Sequence, residues 1–409
     1  MKILLINKFH YLKGGSEKVY FSTKDVLEKN GHQVVFFSMN DKRNVPCEQD
    51  KYFVSNVDFT SRRQWFSKSL RYLYYPEAAR RLEQLIKKEK PDIAHLHNIS
   101  HQLSPAILKP LKKYGIPVVQ TLHDYQLICP NYHLYTHGEP CERCKKRKYY
   151  NAVLNNCVRC SRPMSALAAI ELYFQWFFGF YRKNVDAFVS PSLFLKKTLE
   201  KWGVKEKITV LNNFIELEKF EPNFIPGDYA ICVSRLSLEK GIMTLLRAFR
   251  KLPDKKLVLV GDGPWKSEVE DYIRRKQLKN VEYVGAKYNQ ELLDLIRNAR
   301  FSIVPSEWHE NYPMVALESL ALGKPVLSSE LGGLPEIVKP GVTGWQFAAR
   351  DIKGLRLKIK DAWNDPELEK MGKNGRAFVE KNNNEEKYYS GLMEIYESVF
   401  PENKTTNLG

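Results

Sequence analysis

FSIVPSEWHENYPMVALESLALG, residues 301–323, reads as a strand, a loop and a helix in direct succession. Phe301–Val304 is a short apolar run of the kind that suits a buried strand. The polar stretch Ser306-Glu307-Trp308-His309-Glu310-Asn311-Tyr312 follows as a loop. Pro313 then stands where a first helical residue needs no N–H, and Gly323 closes a helix expected over Pro313–Leu322. A strand feeding straight into a helix is the repeating unit of a doubly wound parallel sheet. Ligands of such sheets gather beyond the carboxyl ends of the strands, so this unit also carries candidate site residues. Glu310 lies in the loop and Glu318 on the helix, with seven residues between them. A helix N-terminus presents free N–H groups and a positive dipole end to an anion. A carboxylate only accepts hydrogen bonds, so Glu318 suits a pair of neighbouring hydroxyls. The ordinary alternative is two solvated glutamates on a surface helix.

The same alternation extends in both directions. In the first half, strand-like runs occur at Lys2–Asn7, Gln33–Ser38, Asp92–His97, Ile116–Leu122, Asp186–Ser190 and Ile208–Leu211. Helical patterns lie between them at Glu17–Asn30, Glu77–Lys88 and Pro105–Tyr114. In the second half, strands are expected at Tyr229–Ser234, Lys256–Val260, Val281–Val284, Phe301–Val304 and Pro325–Ser328. The helices there are expected at Gly241–Lys251, Lys266–Gln277, Gln290–Arg297, Pro313–Leu322 and Ile352–Asn364. The pattern predicts an α/β chain of two doubly wound domains facing each other across a cleft. A length of 409 residues, about twice a usual domain, agrees. We place the first domain at residues 1–211, a linker with two prolines at 212–227, the second domain at 228–384, and a C-terminal helix with a frayed tail at 385–409.

Charge separates the halves. Residues 1–200 carry 32 basic and 17 acidic side chains, and residues 201–409 carry 32 and 30. A basic first half suggests an anionic partner, against the ordinary alternative of a solvated face. At 43% hydrophobic residues, wholesale disorder is excluded. No apolar run is long enough to span a bilayer. The N-terminus lacks a signal peptide's apolar region and reads as a first strand. A cytoplasmic protein with reduced thiols is the expectation, so the seven cysteines are not read as a disulfide framework.

Three further groups fall at predicted strand ends. Arg235 follows the strand Tyr229–Ser234 and Lys240 stands at the next helix start. Two fixed cations there would stabilise the charge on a departing diphosphate. No Asp-x-Asp occurs in the chain, so a metal route through such a pair is unsupported and the two cations would take the metal's role. Gly14-Gly15 opens the first helix, where glycine lets backbone approach a ligand. His123 follows Ile116–Leu122, and its imidazole can donate to a sugar hydroxyl. Singly, each is as readily a surface cation, a plain turn or a structural histidine.

Together these pieces resemble glycosyltransferase family 4, the retaining nucleotide-sugar enzymes of the GT-B fold, of bacterial surface-polysaccharide type. The matched positions are Gly14-Gly15, His123, Arg235 with Lys240, Gly261-Asp262-Gly263-Pro264, Glu310 through Glu318, and Gly332-Gly333-Leu334-Pro335-Glu336. The resemblance implies that Arg235 and Lys240 hold the donor diphosphate and that Glu318 binds the ribose. It also implies that Glu310 contacts the donor sugar near the reacting centre, with His123 bonded to that sugar. Backbone at Asn311, Tyr312 and Pro313 would touch sugar and phosphate, with Gly14, Gly15 and Gly263 also donor-binding. It further implies a last helix returning to the first domain. The acceptor expected is a lipid-linked or other surface oligosaccharide. One departure is the linker start, Asn212-Asn213-Phe214-Ile215-Glu216, where the family often has Asn-Gly-Val-Asp. There Asn213 is expected to supply the left-handed conformation of the missing glycine.

Cys141-Glu142-Arg143-Cys144 and Cys157-Val158-Arg159-Cys160 are two Cys-x-x-Cys pairs with twelve residues between them, inside an insertion at 129–162. Paired knuckles fit a tetrahedral structural zinc, with free thiols as the alternative and Cys129 able to replace one ligand. Four thiolates leave no open position for catalysis. Between the pairs runs Lys145-Lys146-Arg147-Lys148. With Arg62, Arg63, Lys68 and Arg71 it would meet an anionic lipid-linked acceptor or the inner face of the membrane. The aromatic stretch Ala166–Tyr181 is too short to span and suits either membrane docking or core packing. The rival reading from another class is a basic Cys-x-x-Cys nucleic-acid-binding protein. It leaves Arg235, Lys240, Glu310 and Glu318 unexplained. An inactive sugar-binding relative and another GT-B chemistry, such as epimerisation of a sugar nucleotide, complete the alternatives.

Overall fold

The computed structural model describes residues 1–56 and 65–400. Arg62, Arg63 and the tail after Pro401 lie outside these residues, and of residues 65–68 only the backbone is described.

Among the described residues twelve parallel strands form two sheets. The first contains β1 (Lys2–Ile6), β2 (Gln33–Phe37), β3 (Ile93–Leu96), β4 (Val118–Thr121), β5 (Ala187–Ser190) and β6 (Ile208–Val210), in the order β2-β1-β3-β4-β5-β6. The second contains β7 (Tyr229–Val233), β8 (Lys256–Val260), β9 (Val281–Tyr283), β10 (Phe301–Val304), β11 (Val326–Ser329) and β12 (Gly344–Phe347), in the order β9-β8-β7-β10-β11-β12. Both orders reverse direction once, between β1 and β3 and between β7 and β10. Such reversals open a crevice at the carboxyl ends of the two strands concerned. The loops after β7 and β10 are those carrying Arg235, Lys240 and Glu310.

Both faces of each sheet are buried, as a parallel sheet with helical crossovers requires. Alternate residues of one strand therefore feed two cores. Leu4 and Ile6 pack with Leu82 and Leu85 of the helix Pro76–Glu89. Ile3 and Leu5 pack with Tyr20 and Leu27 of the helix Gly15–Lys29 and with Tyr388, Leu392, Ile395 and Tyr396 of the last helix, Glu385–Glu397. The chain thus crosses back from the second domain to cover a face of the first sheet. Asn384 starts that helix by accepting the Lys387 N–H at 2.7 Å. Two polar contacts fix its seat: Thr23 Oγ1 to the Tyr388 hydroxyl at 2.9 Å, and His95 Nδ1 to the Tyr396 hydroxyl at 2.8 Å.

Several local expectations shift. Pro313 is the cap residue of the helix Met314–Ala321 rather than its first helical residue, since its ψ of 122° is extended. Asn213 does not adopt the left-handed conformation. Its side chain instead donates to the Tyr312 carbonyl at 3.2 Å, while its own carbonyl accepts from Asn383 at 2.7 Å. The aromatic stretch forms a helix at Arg162–Phe178, capped by Ser161 and stopped by left-handed Gly179 (φ 65°), with a short helix Phe180–Asn184 after it. The strand β12 and the helices Leu193–Lys201 and Leu368–Asn382 have no counterpart in the sequence reading. Among the described residues no helix is long and apolar enough to cross a membrane.

Candidate active site

The loop after β10 is held from three sides. Gly332 and Gly333 press against its backbone: the Gly333 N–H donates to the Glu310 carbonyl at 2.7 Å. A Cβ on Gly332 would stand 2.1 Å from that carbonyl oxygen. Gly241 (φ 68°) abuts the Pro305 carbonyl, and Thr244 Oγ1 donates to Glu307 Oε1 at 2.6 Å. From the first domain, Asn311 Nδ2 reaches the His123 carbonyl at 2.6 Å, and the Tyr125 hydroxyl donates to the His309 carbonyl at 3.1 Å.

Glu310 is buried in this frame. Its Oε1 accepts from Lys240 Nζ and from Ser306 Oγ, each at 2.6 Å. Burial opposes its ionisation. The Lys240 charge and the two hydrogen bonds outweigh that and hold the carboxyl below its ordinary range. Glu310 is therefore ionised at neutral pH. Lys240 also lies over the Trp308 ring, 4.9 Å from its centroid. Arg235 is exposed at the mouth of the same crevice and has no carboxylate partner among the described residues.

The facing wall is cationic as well. Lys13, on the loop leading into Gly14, is held below the usual lysine range by desolvation and then by repulsion from Lys8, with Arg235 and Arg43 adding to it. An anion between the walls would relieve that repulsion. Gly15 begins the helix Gly15–Lys29, and Met314, the first residue of the opposing helix, is its nearest neighbour at 4.0 Å from the Cβ position. Two helix N-termini therefore meet across the cleft, each with free N–H groups. The same closure brings Lys18 into a hydrogen-bonded ion pair with the largely buried Glu318.

His123 is one of three stacked imidazoles. His95 and His97 stand 4.7 Å apart by ring centroid, and His97 and His123 5.1 Å apart. His97 Nδ1 and His123 Nε2 share a hydrogen bond of 2.8 Å, so one ring donates and the other accepts. Burial lowers His95 to about 3 and His123 to about 4, and puts His97 well below the ordinary value. All three are neutral at pH 7. Because Nε2 is engaged, His123 has Nδ1 left to offer a ligand. These depressed values set a pH dependence. An unfolded histidine takes up a proton near pH 6.5 while the folded one does not, so stability is full above that value and falls as pH drops below it. His95 alone costs about 2 kcal/mol at pH 5. Urea unfolding followed from pH 7.5 to 5 should show the decline, and His95→Gln should make it shallower by the His95 share, about 2 kcal/mol at pH 5. A stability independent of pH over that range would contradict this account.

Of the remaining sequence candidates, Tyr312 is a buried tie whose hydroxyl meets Asn383 Nδ2 at 3.1 Å. A Cβ on Gly263 would stand 2.4 Å from the Leu236 carbonyl, so this glycine allows the two loops to touch. Gly14 caps the first helix with extended backbone. Ser306, Lys13, Lys18, His97 and the Gly332–Gly333 brace were not singled out as site residues from sequence. Only the glycine pair gave a signal there, as part of the family match. A further contact ties the domains: Glu336 accepts the Leu193 and Phe194 N–H groups at 2.9 and 2.7 Å, capping the helix Leu193–Lys201.

Cys129, Cys141, Cys144 and Cys157 line one small cavity with Trp202, whereas Cys160 is exposed and stands off it. Burial, with weaker effects from the neighbouring thiols, pushes Cys129 up to about 12 and raises Cys144 and Cys157. Among the described residues no three His, Cys, Asp or Glu side chains stand where they could hold a metal ion together. Of Cys141, Cys144, Cys157 and Cys160, the first three share the cavity, and Cys160 follows Arg159 on left-handed backbone.

Known proteins show the same architecture. The sequence profile of Glycosyltransferase Family 4 matches residues 13–219, and that of Glycosyl transferases group 1 matches residues 215–378. The chain is 30% identical over 228 residues to the uncharacterized glycosyltransferase MJ1178 of Methanocaldococcus jannaschii, covering 55% of this chain and 63% of that protein. It is 24% identical to N-acetyl-alpha-D-glucosaminyl L-malate synthase of Bacillus anthracis over 96% of both chains. Among solved structures, Anabaena HepE in complex with UDP and glucose superposes with a TM-score of 0.70 at 16% identity, over 97% of this chain and all of that one. With one family profile covering half of the chain and a second covering most of the rest, the protein belongs to glycosyltransferase family 4.

Proposed function

We propose that the protein transfers a sugar, with retention of configuration, from a nucleotide-diphosphate sugar to a lipid-linked or surface-polysaccharide acceptor. The observation that carries this reading is the Lys240–Glu310 pair at the β7–β10 crevice, with exposed Arg235 on the same β7 loop and the Gly14–Gly15 helix start opposite. The diphosphate would lie between Arg235, Lys240 and the two helix N-termini. These groups stabilise the charge that appears on the leaving phosphate. The anomeric C–O bond to the diphosphate breaks and the bond to the acceptor oxygen forms on the same face, with the acceptor proton passing to the departing phosphate oxygen. Glu318 would bind the ribose hydroxyls once Lys18 releases it. The resemblance to HepE, solved with UDP and glucose, supports a nucleotide-sugar donor. Nucleic-acid binding is set aside, since it gives Glu310 and Glu318 no role.

Structural zinc is carried forward on Cys129, Cys141, Cys144 and Cys157, which line the shared cavity. Binding would require their side chains to turn inward and lose protons. One melting experiment addresses both readings. A panel of nucleoside diphosphates and nucleotide sugars should contain members that raise the melting temperature, since a ligand of the folded state stabilises it. A chelator arm should lower it, with about one zinc per chain by elemental analysis. A panel with no stabilising nucleotide defeats the transferase reading. A metal-free protein indifferent to chelator defeats the zinc.

A further inference from the structure

The helix Arg162–Phe178 keeps apolar side chains on both its buried and its exposed side. Its inward side buries the polar Ser165, Glu171 and Gln175 together with Leu167, Ala168, Ala169 and Leu172. Glu171 is satisfied there by His101 Nε2 at 3.2 Å and Gln175 Nε2 at 3.0 Å. Its outward side carries Ile170, Tyr173, Trp176, Phe177 and Phe178, exposed by 52, 37, 47, 73 and 48%. At 100° per residue these five cover about half of the helix circumference. Tyr150 and Leu154, 51 and 69% exposed, lie on the short helix Tyr150–Leu154, which packs against the same helix through Ala152. A contiguous aromatic face of this size is not an ordinary monomer surface and marks a contact with an apolar medium or partner.

Charge identifies which. Residues 145–185 contain eight Lys and Arg and one carboxylate, the buried Glu171. Lys146, Arg147, Lys148, Arg182 and Lys183 are all exposed. The Arg147 guanidinium stands over the Trp176 ring, 4.1 Å from its centroid, which joins the basic segment to the aromatic face directly. Aromatic side chains that enter the headgroup region, beside cations that meet anionic headgroups, form the surface of an interfacial helix.

We infer that the face formed by Ile170, Tyr173, Trp176, Phe177 and Phe178 docks this protein on a bilayer containing anionic lipid. It bears on the acceptor half of the proposed function, because a docked enzyme meets a lipid-linked acceptor at the membrane surface. It rests on residues remote in sequence from Arg235, Lys240 and Glu310, so the two readings fail separately.

The test is flotation of the full chain with vesicles of phosphatidylcholine alone and of phosphatidylcholine with one quarter phosphatidylglycerol. The wild type should float with the anionic vesicles at least tenfold more strongly than with the neutral ones. Trp176→Ser with Phe177→Glu, and separately Lys146→Glu with Arg147→Glu, should each lose tenfold or more of that binding. Both variants should keep the melting shift given by a stabilising nucleotide, which shows that fold and donor site are intact. Absence of flotation by the wild type, equal flotation with both vesicles, or unchanged binding by the variants would overturn the inference. So would a wild-type dimer in solution that Phe177→Glu converts to monomer, since the face would then belong to a second copy.

Discussion

Arg235→Ala should lower turnover by roughly 10²–10³-fold and leave the melting temperature where it was. The side chain is exposed and has no carboxylate partner among the described residues, so its removal strands nothing. Its function lies in the charge it presents to a leaving diphosphate, and that interaction strengthens only as the bond breaks. Lys240→Ala should cost as much turnover but behave differently in a melt. Lys240 is the counter-charge of Glu310, and without it the buried carboxylate keeps neutral donors such as Ser306 but no cation. Breaking one partner from a buried pair costs about 3–5 kcal/mol, lessened here because Glu310 can take up a proton. Glu310→Gln keeps the shape and removes the charge, and should lose turnover while remaining folded. The measurement is steady-state kinetics beside thermal melts of all three variants. Near-normal turnover in all three would defeat the site assignment. A destabilised Arg235→Ala would show that this arginine has a structural partner.

The second large effect is expected at a glycine packed against the loop that bears Glu310. Gly333 has an unstrained φ of −84°, so alanine there carries no backbone cost. The added Cβ would nevertheless lie 1.9 Å from the Asn311 carbonyl oxygen and 3.2 Å from the Ser192 Cβ. The loop bearing Glu310 must retreat by about 1 Å, a displacement that typically costs about 10²-fold in rate. Gly115→Ala is the contrast. There φ is +64° and nothing stands within 4 Å, so the cost is about 1–2 kcal/mol of backbone strain with turnover unchanged. Equal turnover in wild type and Gly333→Ala would mean that the brace does not position Glu310.

Particular elements show why some of this was legible and some was not. The unit Phe301–Gly323 declared itself because its strand, loop and helix are local, each set by neighbouring residues. The helix Leu368–Asn382 did not, since Gly372 and Gly375 weaken its helical propensity. Both glycines are explained by packing: a Cβ would stand 2.3 Å from the Gly323 carbonyl at one and 2.7 Å from Leu320 at the other. The strand β12 was hidden for a similar reason. Gly344, at φ 156°, approaches the Val326 backbone so closely that no side chain fits. Close approach is a property of two segments, and neither announces it alone.

The candidate site divides along the same line. The sequence by itself determined the two parallel sheets, the strand ends at which chemistry gathers, and the residue types standing there. Periodicity and turn chemistry act over a few residues, and the chain order records them. Only the tertiary structure decided the partners. Lys18 meets Glu318 across 300 residues of chain, and Asn311 meets the His123 carbonyl across 188. Lys240 meets Glu310 across 70 because the reversal in strand order makes β7 and β10 neighbours. It also gathered Cys129, Cys141, Cys144 and Cys157 around one cavity, and it set the aromatic side of the helix Arg162–Phe178 outward by burying Glu171 against His101. Hydrogen bonds and ion pairs require atoms within about 3 Å of each other, and over such spans that proximity is set by how the two sheets close on one another.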